Sequence, residues 1–282
     1  MIRLAFISDI HANLLALEAV IEDIQKQYID EVLILGDIVG RGPQGSAVTK
    51  RIQKLGWRSI RGNHEDYTLA FRHKKIDKNW LTAPEWSAAR WIAAELDDDD
   101  VHYLSSLPMT LTSTLNPEVR LFHGSPQSHR EGIAPWTSQE RCEEHLQSIK
   151  EPLFVCGHTH RSLLREFSIG TIINAGSVGL PFNGDHRSQY VILSFQKGEL
   201  MGVDFRRISY DRDAFLKIYE TSGFMKAGGL TAHLLKIELQ TAQPYLTPFL
   251  RWVYGENKHP TYENMEAFLS QYVPPENYPS IK

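Results

Sequence analysis

Cysteine is scarce in this chain of 282 residues, where Cys142 and Cys156 are the two present. Two thiols cannot make a disulfide framework, which excludes the small stapled secreted folds and fits a reducing compartment. Long apolar runs are missing as well. No stretch approaches the roughly 18 apolar residues of a spanning helix, so no membrane partner is expected. There is no basic excess either: 30 Lys+Arg against 34 Asp+Glu leave a net charge of -4. With a pI near 6.3, no global field favours nucleic acid as a partner. Internal repeats and low-complexity tracts are absent, and the single charge run, residues 97–100, reads as a solvated loop or helix end. Met1 to Asp9 enter an apolar strand pattern at once, without the charged and apolar regions of a secretory signal. A cytoplasmic location is therefore expected.

What is present has the texture of an α/β protein. Hydrophobic residues at 42% and charged residues at 23% are ordinary for a globular chain. Leu4–Ile7, Val32–Leu35, Val119–Phe122 and Leu153–Cys156 are short apolar or β-rich runs, each leading directly into Asp or His or into a Ser/Gly step before one. Runs of this length suit buried strands, and side chains gathered after strand C-termini are where open α/β sheets build sites. Trp57–Ile60 occupies the same place before Gly62-Asn63-His64. Helical spacing follows the Asn13 N-cap and recurs over residues 44–55, 83–95 and 139–149. Strand-like segments follow His160, at 163–167, 171–174, 190–195 and 202–207. A break comes near Ser209. Residues 1–210 form one expected domain, and 211–282 a helical extension rich in Tyr, Phe, Trp and Pro, up to Pro275, Tyr278 and Pro279. That extension is expected to pack on the outer face of the first domain, to cover its cleft, or to form a homo-oligomer surface.

The chemistry-bearing residues come in a fixed order: Asp9-Ile10-His11, Gly36-Asp37, Gly62-Asn63-His64, His123-Gly124 and Gly157-His158-Thr159-His160. Carboxylate, imidazole and amide oxygen together suit divalent metal ions. Asp9 and His11 are two apart, as are His158 and His160, and in extended chain each pair would face one cavity. The order resembles that of the calcineurin-like metallophosphoesterases, which implies a four-layer αββα sandwich that hydrolyses phosphate esters. The resemblance further implies two divalent ions per chain, drawn from Mn, Fe, Zn, Co and Ni, with attack by a hydroxide bridging them. Asp9, His11 and His160 would hold the first ion, Asn63, His123 and His158 the second, and Asp37 would bridge. His64 would be no ligand but a catalytic group near the scissile ester, oriented by Glu65 or Asp66 unless these acids simply open a helix.

Arg41 and Arg61 are candidate phosphate contacts, with structural salt bridges as the alternative. Asn13 and Arg187 are weaker candidates, and His129 and His186 could line the cleft. His73, His102, His145, His233 and His259 read as surface or satisfied core residues, and Cys156 as a buried structural thiol. The segment from Asn174 through Phe182 to Tyr190 resembles a bacterial diadenosine-tetraphosphatase-like subgroup, although Phe182 stands where that subgroup commonly has Arg. The protein-phosphatase branch carries an Asp where this chain has Gly40. The expected function is hydrolysis of small phosphate monoesters or diesters, nucleotides included. A protein serine/threonine phosphatase and a non-catalytic metal-binding scaffold are the alternatives.

Overall fold

The structure, a computed structural model, describes residues 1–274, so Pro275, Tyr278 and Pro279 lie outside the described residues. The chain runs β1 (Ile2–Ile7), α1 (Leu14–Ile24), β2 (Glu31–Ile34), α2 (Gly45–Leu55), β3 (Arg58–Ser59) and α3 (Asn63–Arg72). Two 3-10 turns, Lys78–Leu81 and Pro84–Trp86, lead to α4 (Ser87–Glu95), α5 (Asp98–Ser106), β4 (Thr110–Thr112), β5 (Val119–Phe122), α6 (Gln139–Gln147) and β6 (Leu153–Cys156). Then come β7 (Ser162–Phe167), β8 (Gly170–Ala175), β9 (Ser188–Gln196) and β10 (Glu199–Ile208), followed by α7 (Arg212–Thr221), α8 (Phe224–Thr241), α9 (Leu246–Gly255) and α10 (Tyr262–Leu269).

Two five-stranded sheets stack face to face, one ordered β10-β9-β1-β2-β3 and the other β4-β5-β6-β8-β7. β1 explains why the apolar runs are continuous. Leu4 and Phe6 join the layer between the sheets, with Leu33, Val119, Val155 and Val191. Ala5 and Ile7 face the opposite way, onto Leu17 and Val20 of α1 and Ile52 of α2. A strand covered on both sides cannot alternate with polar residues. Cys142 and Leu146 of α6 cover the outer side of the second sheet through Phe154 and Ile172, completing the αββα order. The Asp run is a helix start: Asp97 caps α5, its carboxylate accepting from Asp100 N at 2.9 Å.

The C-terminal helices pack against helices of the first 210 residues. α8 seats against α4, where a Cβ added at Gly228 would lie 3.4 Å from Ala88 Cα. Thr231 Oγ1 accepts from Ala88 N at 3.2 Å. Phe215, Phe224, Leu235 and Leu239 bury against Ala88, Ile92 and Leu180 of the first 210 residues. Leu230, Leu234, Phe249 and Phe268 make a second apolar cluster among α8, α9 and α10. Phe215, Tyr219, Phe224, Phe249 and Phe268 are buried, whereas Tyr254 and Tyr262 stay exposed. Among the described residues no helix is long and apolar enough to cross a membrane.

Candidate active site

The strands end before the polar residues they deliver. β1 stops at Ile7, β6 at Cys156, and the following loops turn sharply. Asp9 (φ 53°), His11 (φ 49°), Asp37 (φ 52°), His158 (φ 67°) and His160 (φ 58°) all take left-handed backbone. The expectation of extended Asp-x-His and His-x-His pairs is therefore corrected: each pair converges through a turn, not through strand alternation. Left-handed backbone costs a non-glycine residue about 1–2 kcal/mol, so other bonds must hold these loops. They are laced together by His11 N to Asp37 O at 3.0 Å, Gly179 N to Asp9 O at 3.0 Å and Gly157 N to His123 O at 2.9 Å. Concentrated strain of this kind marks sites where geometry serves something other than stability.

The side chains then meet. His11 Nε2 lies 2.9 Å from His160 Nε2, and His160 Nε2 lies 3.3 Å from Asp9 Oδ1. His123 Nε2 stands 3.0 Å from Asn63 Oδ1 and 3.3 Å from His158 Nδ1. Asp37 Oδ2 lies between the two groups, 3.7 Å from His11 Nε2 and 3.3 Å from His123 Nε2. Asp37 Oδ1 accepts from His64 N at 2.9 Å, which fixes the carboxylate. Asp9 is fixed likewise, its Oδ2 accepting from Ser8 Oγ at 2.6 Å and His158 N at 2.9 Å.

Tautomers decide what this cluster wants. The Nδ1 atoms of His11 and His123 face the carbonyls of Val39 and Leu35 at 3.3 and 2.7 Å, and that of His160 faces the Leu180 carbonyl. A carbonyl only accepts, so each Nδ1 carries a proton and each Nε2 is left as the atom that can meet a cation. The Nε2 atoms of His11 and His160 face one another across 2.9 Å, a contact that a proton or a metal ion held between them makes favourable. Asp9 Oδ1 is buried with no hydrogen-bond partner. Asp9, His11 and His160 form one group able to hold an ion, Asp37, His123 and His158 another, and His11, Asp37 and His64 a third overlapping set. The donor set and its orphaned atoms fit metal ions.

Electrostatics agree. Burial raises Asp37, but His123, His64 and His11 outweigh it and hold its carboxyl well below the usual range. Burial, then His160, push His11 well below an ordinary histidine. Burial, reinforced by Arg41, lowers His64 to about 3, and burial with His123 lowers His158 to about 4. His123 runs the other way, against its own burial, because Asp37 pushes it up to about 10. Positive charge is in demand at its Nε2.

Around this centre the structure sorts the other candidates. Arg41 lines the cleft: its Nη1 pairs with Glu238 Oε2 of α8 at 2.8 Å and its Nε donates to His64 Nε2 at 3.3 Å. Arg61 instead faces Asp66, Nε to Oδ1 at 3.6 Å, and Asp66 Oδ2 also meets His129 Nε2 at 2.8 Å. Asn13 is buried and committed, capping α1 through Ala16 N at 3.0 Å and donating to Gly179 O at 3.1 Å. Arg187 pairs with Asp185 at 2.6 Å in a separate surface depression, and His186 Nε2 meets Gln240 O at 2.8 Å. His145 is buried and bonded to Gln127, and Cys156 is a buried thiol raised by its burial. Phe182 stacks on the His160 ring, centroids 4.4 Å apart, with the Arg41 guanidinium 5.8 Å from its own centroid.

Glu65 and Asp66 do not orient His64 as expected. Glu65 is fully buried and accepts from the N–H groups of Asp37, Val39 and Gly62 at 2.9, 3.1 and 2.7 Å. It braces the Asp37 loop against the start of α3, an N3 acid reaching back to the N-cap. The groups that do meet the His64 ring are Arg41 Nε and the edges of His11 and Tyr67. Glu65→Ala would strand three buried N–H groups, each worth about 1–3 kcal/mol when unsatisfied. A loss of at least about 3 kcal/mol in urea unfolding is expected, with reduced metal content; a loss below about 1 kcal/mol would contradict the bracing role. The contribution of Glu238 was not anticipated. Its signal is a lone Glu on the apolar stripe Leu234, Leu235, Leu239 of α8, where it is fully buried.

Residues 2–198 match the calcineurin-like phosphoesterase superfamily domain. The chain belongs to that family. Uncharacterized protein MJ0912 of Methanocaldococcus jannaschii is 29% identical over 231 residues, covering 76% of this chain and 91% of the relative. Among solved structures, a metallophosphoesterase from Sphaerobacter thermophilus superposes with a TM-score of 0.68 at 27% identity, over 86% of this chain and all of the other. The hypothetical protein PH1004 from Pyrococcus horikoshii OT3 has the same fold, with a TM-score of 0.70 at 20% identity over 83% of this chain and 98% of the other. Residues 1–210 alone cannot supply 86% of this calcineurin-like phosphoesterase, so the likeness to the Sphaerobacter protein reaches into the C-terminal helices.

Proposed function

We propose that this calcineurin-like phosphoesterase hydrolyses small phosphate monoesters and diesters, nucleotides among them, with two divalent ions. The observation that carries this reading is the convergence, in one buried pocket, of imidazole Nε2 atoms and a donor-less carboxylate oxygen. Asp9, His11 and His160 would hold one ion, Asn63, His123 and His158 the other, and Asp37 Oδ2 would serve both. When bound, such a pair activates a water as nucleophile and neutralises charge on the phosphoryl oxygens.

The chain's own residues supply the rest. Arg41 gives one N–H to Glu238 and one to His64, which leaves others of its five donors for a phosphoryl oxygen. The bond from Arg41 Nε keeps the His64 proton on Nδ1, and burial keeps the ring neutral. A neutral imidazole in that state donates a hydrogen bond to developing charge on the leaving oxygen. Overall one water is consumed: its oxygen bonds to phosphorus, the bond from phosphorus to the leaving oxygen breaks, and a proton ends on that oxygen.

The protein-phosphatase alternative is disfavoured at one position. Gly40 has φ +89°, and a Cβ there would stand 2.3 Å from His64 Nδ1. This backbone has no room beside this ring for the Asp of that branch. Metal-reconstituted protein should hydrolyse bis(p-nitrophenyl) phosphate at least as fast as phosphoserine peptides at matched concentration. Robust peptide dephosphorylation without diester cleavage would reverse the assignment.

A further inference from the structure

The metal centre opens into a chamber of about 380 Å³ whose near end is formed by Arg41, Asn63, His64 and His158. Its deeper walls are apolar and come from two parts of the chain. Tyr67, Trp86 and Ile92 line one side, and Leu235, Leu246 and Leu250 of the C-terminal helices line the other. Trp86 is held in place by stacking on Trp80, centroids 3.8 Å apart, and by the edge of Tyr67 at 5.5 Å. A preformed cavity of this size, apolar with a few polar groups, suits a small organic ligand.

One further observation narrows the occupant, and a second fixes the wall around it. Arg41 is the one Lys or Arg among the lining residues, and it sits at the metal end. Additional phosphates beyond the reacting one would therefore meet hydrocarbon and not cations, which argues against a polyphosphate chain in the chamber. Glu85, also a lining residue, accepts from Tyr254 Oη at 2.6 Å through Oε1, a bond that ties α9 to the turn before α4.

Resting on the hydrolase reading above, we propose that the leaving group of the substrate carries an aromatic ring system and is linked through a single phosphate. Its ring sits between Trp86 and the wall made by Leu235, Leu246 and Leu250. Selectivity for the ring is thereby shared between Trp86 and the C-terminal helices, while His64 meets the leaving oxygen at the metal end of the chamber.

Adenosine 5′-monophosphate and ribose 5-phosphate test this, because they share the leaving alcohol and differ by the base. If the enzyme prefers diesters, their methyl esters serve equally. The base should raise kcat/KM at least about tenfold, on the burial of one aromatic group. Ala89→Phe, which fills the chamber from α4, should bring the ratio near one while ribose 5-phosphate is still turned over. Calorimetric binding of free adenosine to the metal-loaded protein supplies a readout apart from turnover. Equal turnover of both esters with no adenosine binding would overturn the chamber assignment and leave the hydrolase reading standing. Adenosine binding that Ala89→Phe removes, with neither ester hydrolysed, would do the reverse.

Discussion

Asp37→Asn is expected to cost the protein an ion and most of its turnover. Among the described residues Asp37 Oδ2 is the one carboxylate oxygen within 3.7 Å of both His11 Nε2 and His123 Nε2, so both proposed ion positions depend on it. The substituted amide can still accept from His64 N, as Oδ1 does now at 2.9 Å, and the loop should therefore keep its shape. What disappears is the negative charge that holds His123 high and that two cations would share. Elemental analysis should fall clearly below the wild-type content, with hydrolysis down at least about a hundredfold. Undiminished metal content together with undiminished activity would refute the bridging role.

His64→Asn is expected to separate chemistry from metal binding. His64 adjoins Asn63, yet its Nε2 is occupied by Arg41 Nε and its backbone N–H by Asp37 Oδ1. Its ring meets the cleft beside His11, at 4.9 Å between centroids, and lines the chamber. A group that acts mainly on the transition state lowers kcat and kcat/KM together. The drop should be about 10²–10⁴-fold, the usual worth of such a donor. Metal content should stay at the wild-type level. Loss of an ion in this variant would make His64 a ligand and leave the leaving-group role without a candidate.

Much of this architecture was legible because it is local. β1 and β6 announce themselves as buried strands, and the Asp, His and Asn residues follow their ends in a recognisable order. The Asn13 cap and the amphipathic face of α1 are likewise read from a few neighbouring residues. The backbone of the ligand turns was not legible: Asp9 and His160 look like strand continuations in sequence and take left-handed turns in space. No local preference favours that; bonds between loops far apart in the chain impose it. Glu65 and Glu238 escaped for the same reason. An acid early in a helix reads as an ordinary helix opener, and only the fold reveals three backbone N–H groups converging on Glu65. Glu238 stands 197 residues from Arg41, and no periodicity links them. The apolar side of the chamber is a similar case, since Trp86 and Leu250 meet across it only when α8 and α9 fold back on α4.

The proposed hydrolysis rests above all on a metal pair that Asp9, His11, Asp37, Asn63, His123, His158 and His160 would hold. Its most direct test is titration of chelator-stripped protein with Mn²⁺ while bis(p-nitrophenyl) phosphate hydrolysis is followed. Activity absent after stripping, returning with added metal and levelling off near two equivalents per chain, is the predicted result. Hydrolysis that survives complete stripping, or full activity at a single equivalent, would contradict it.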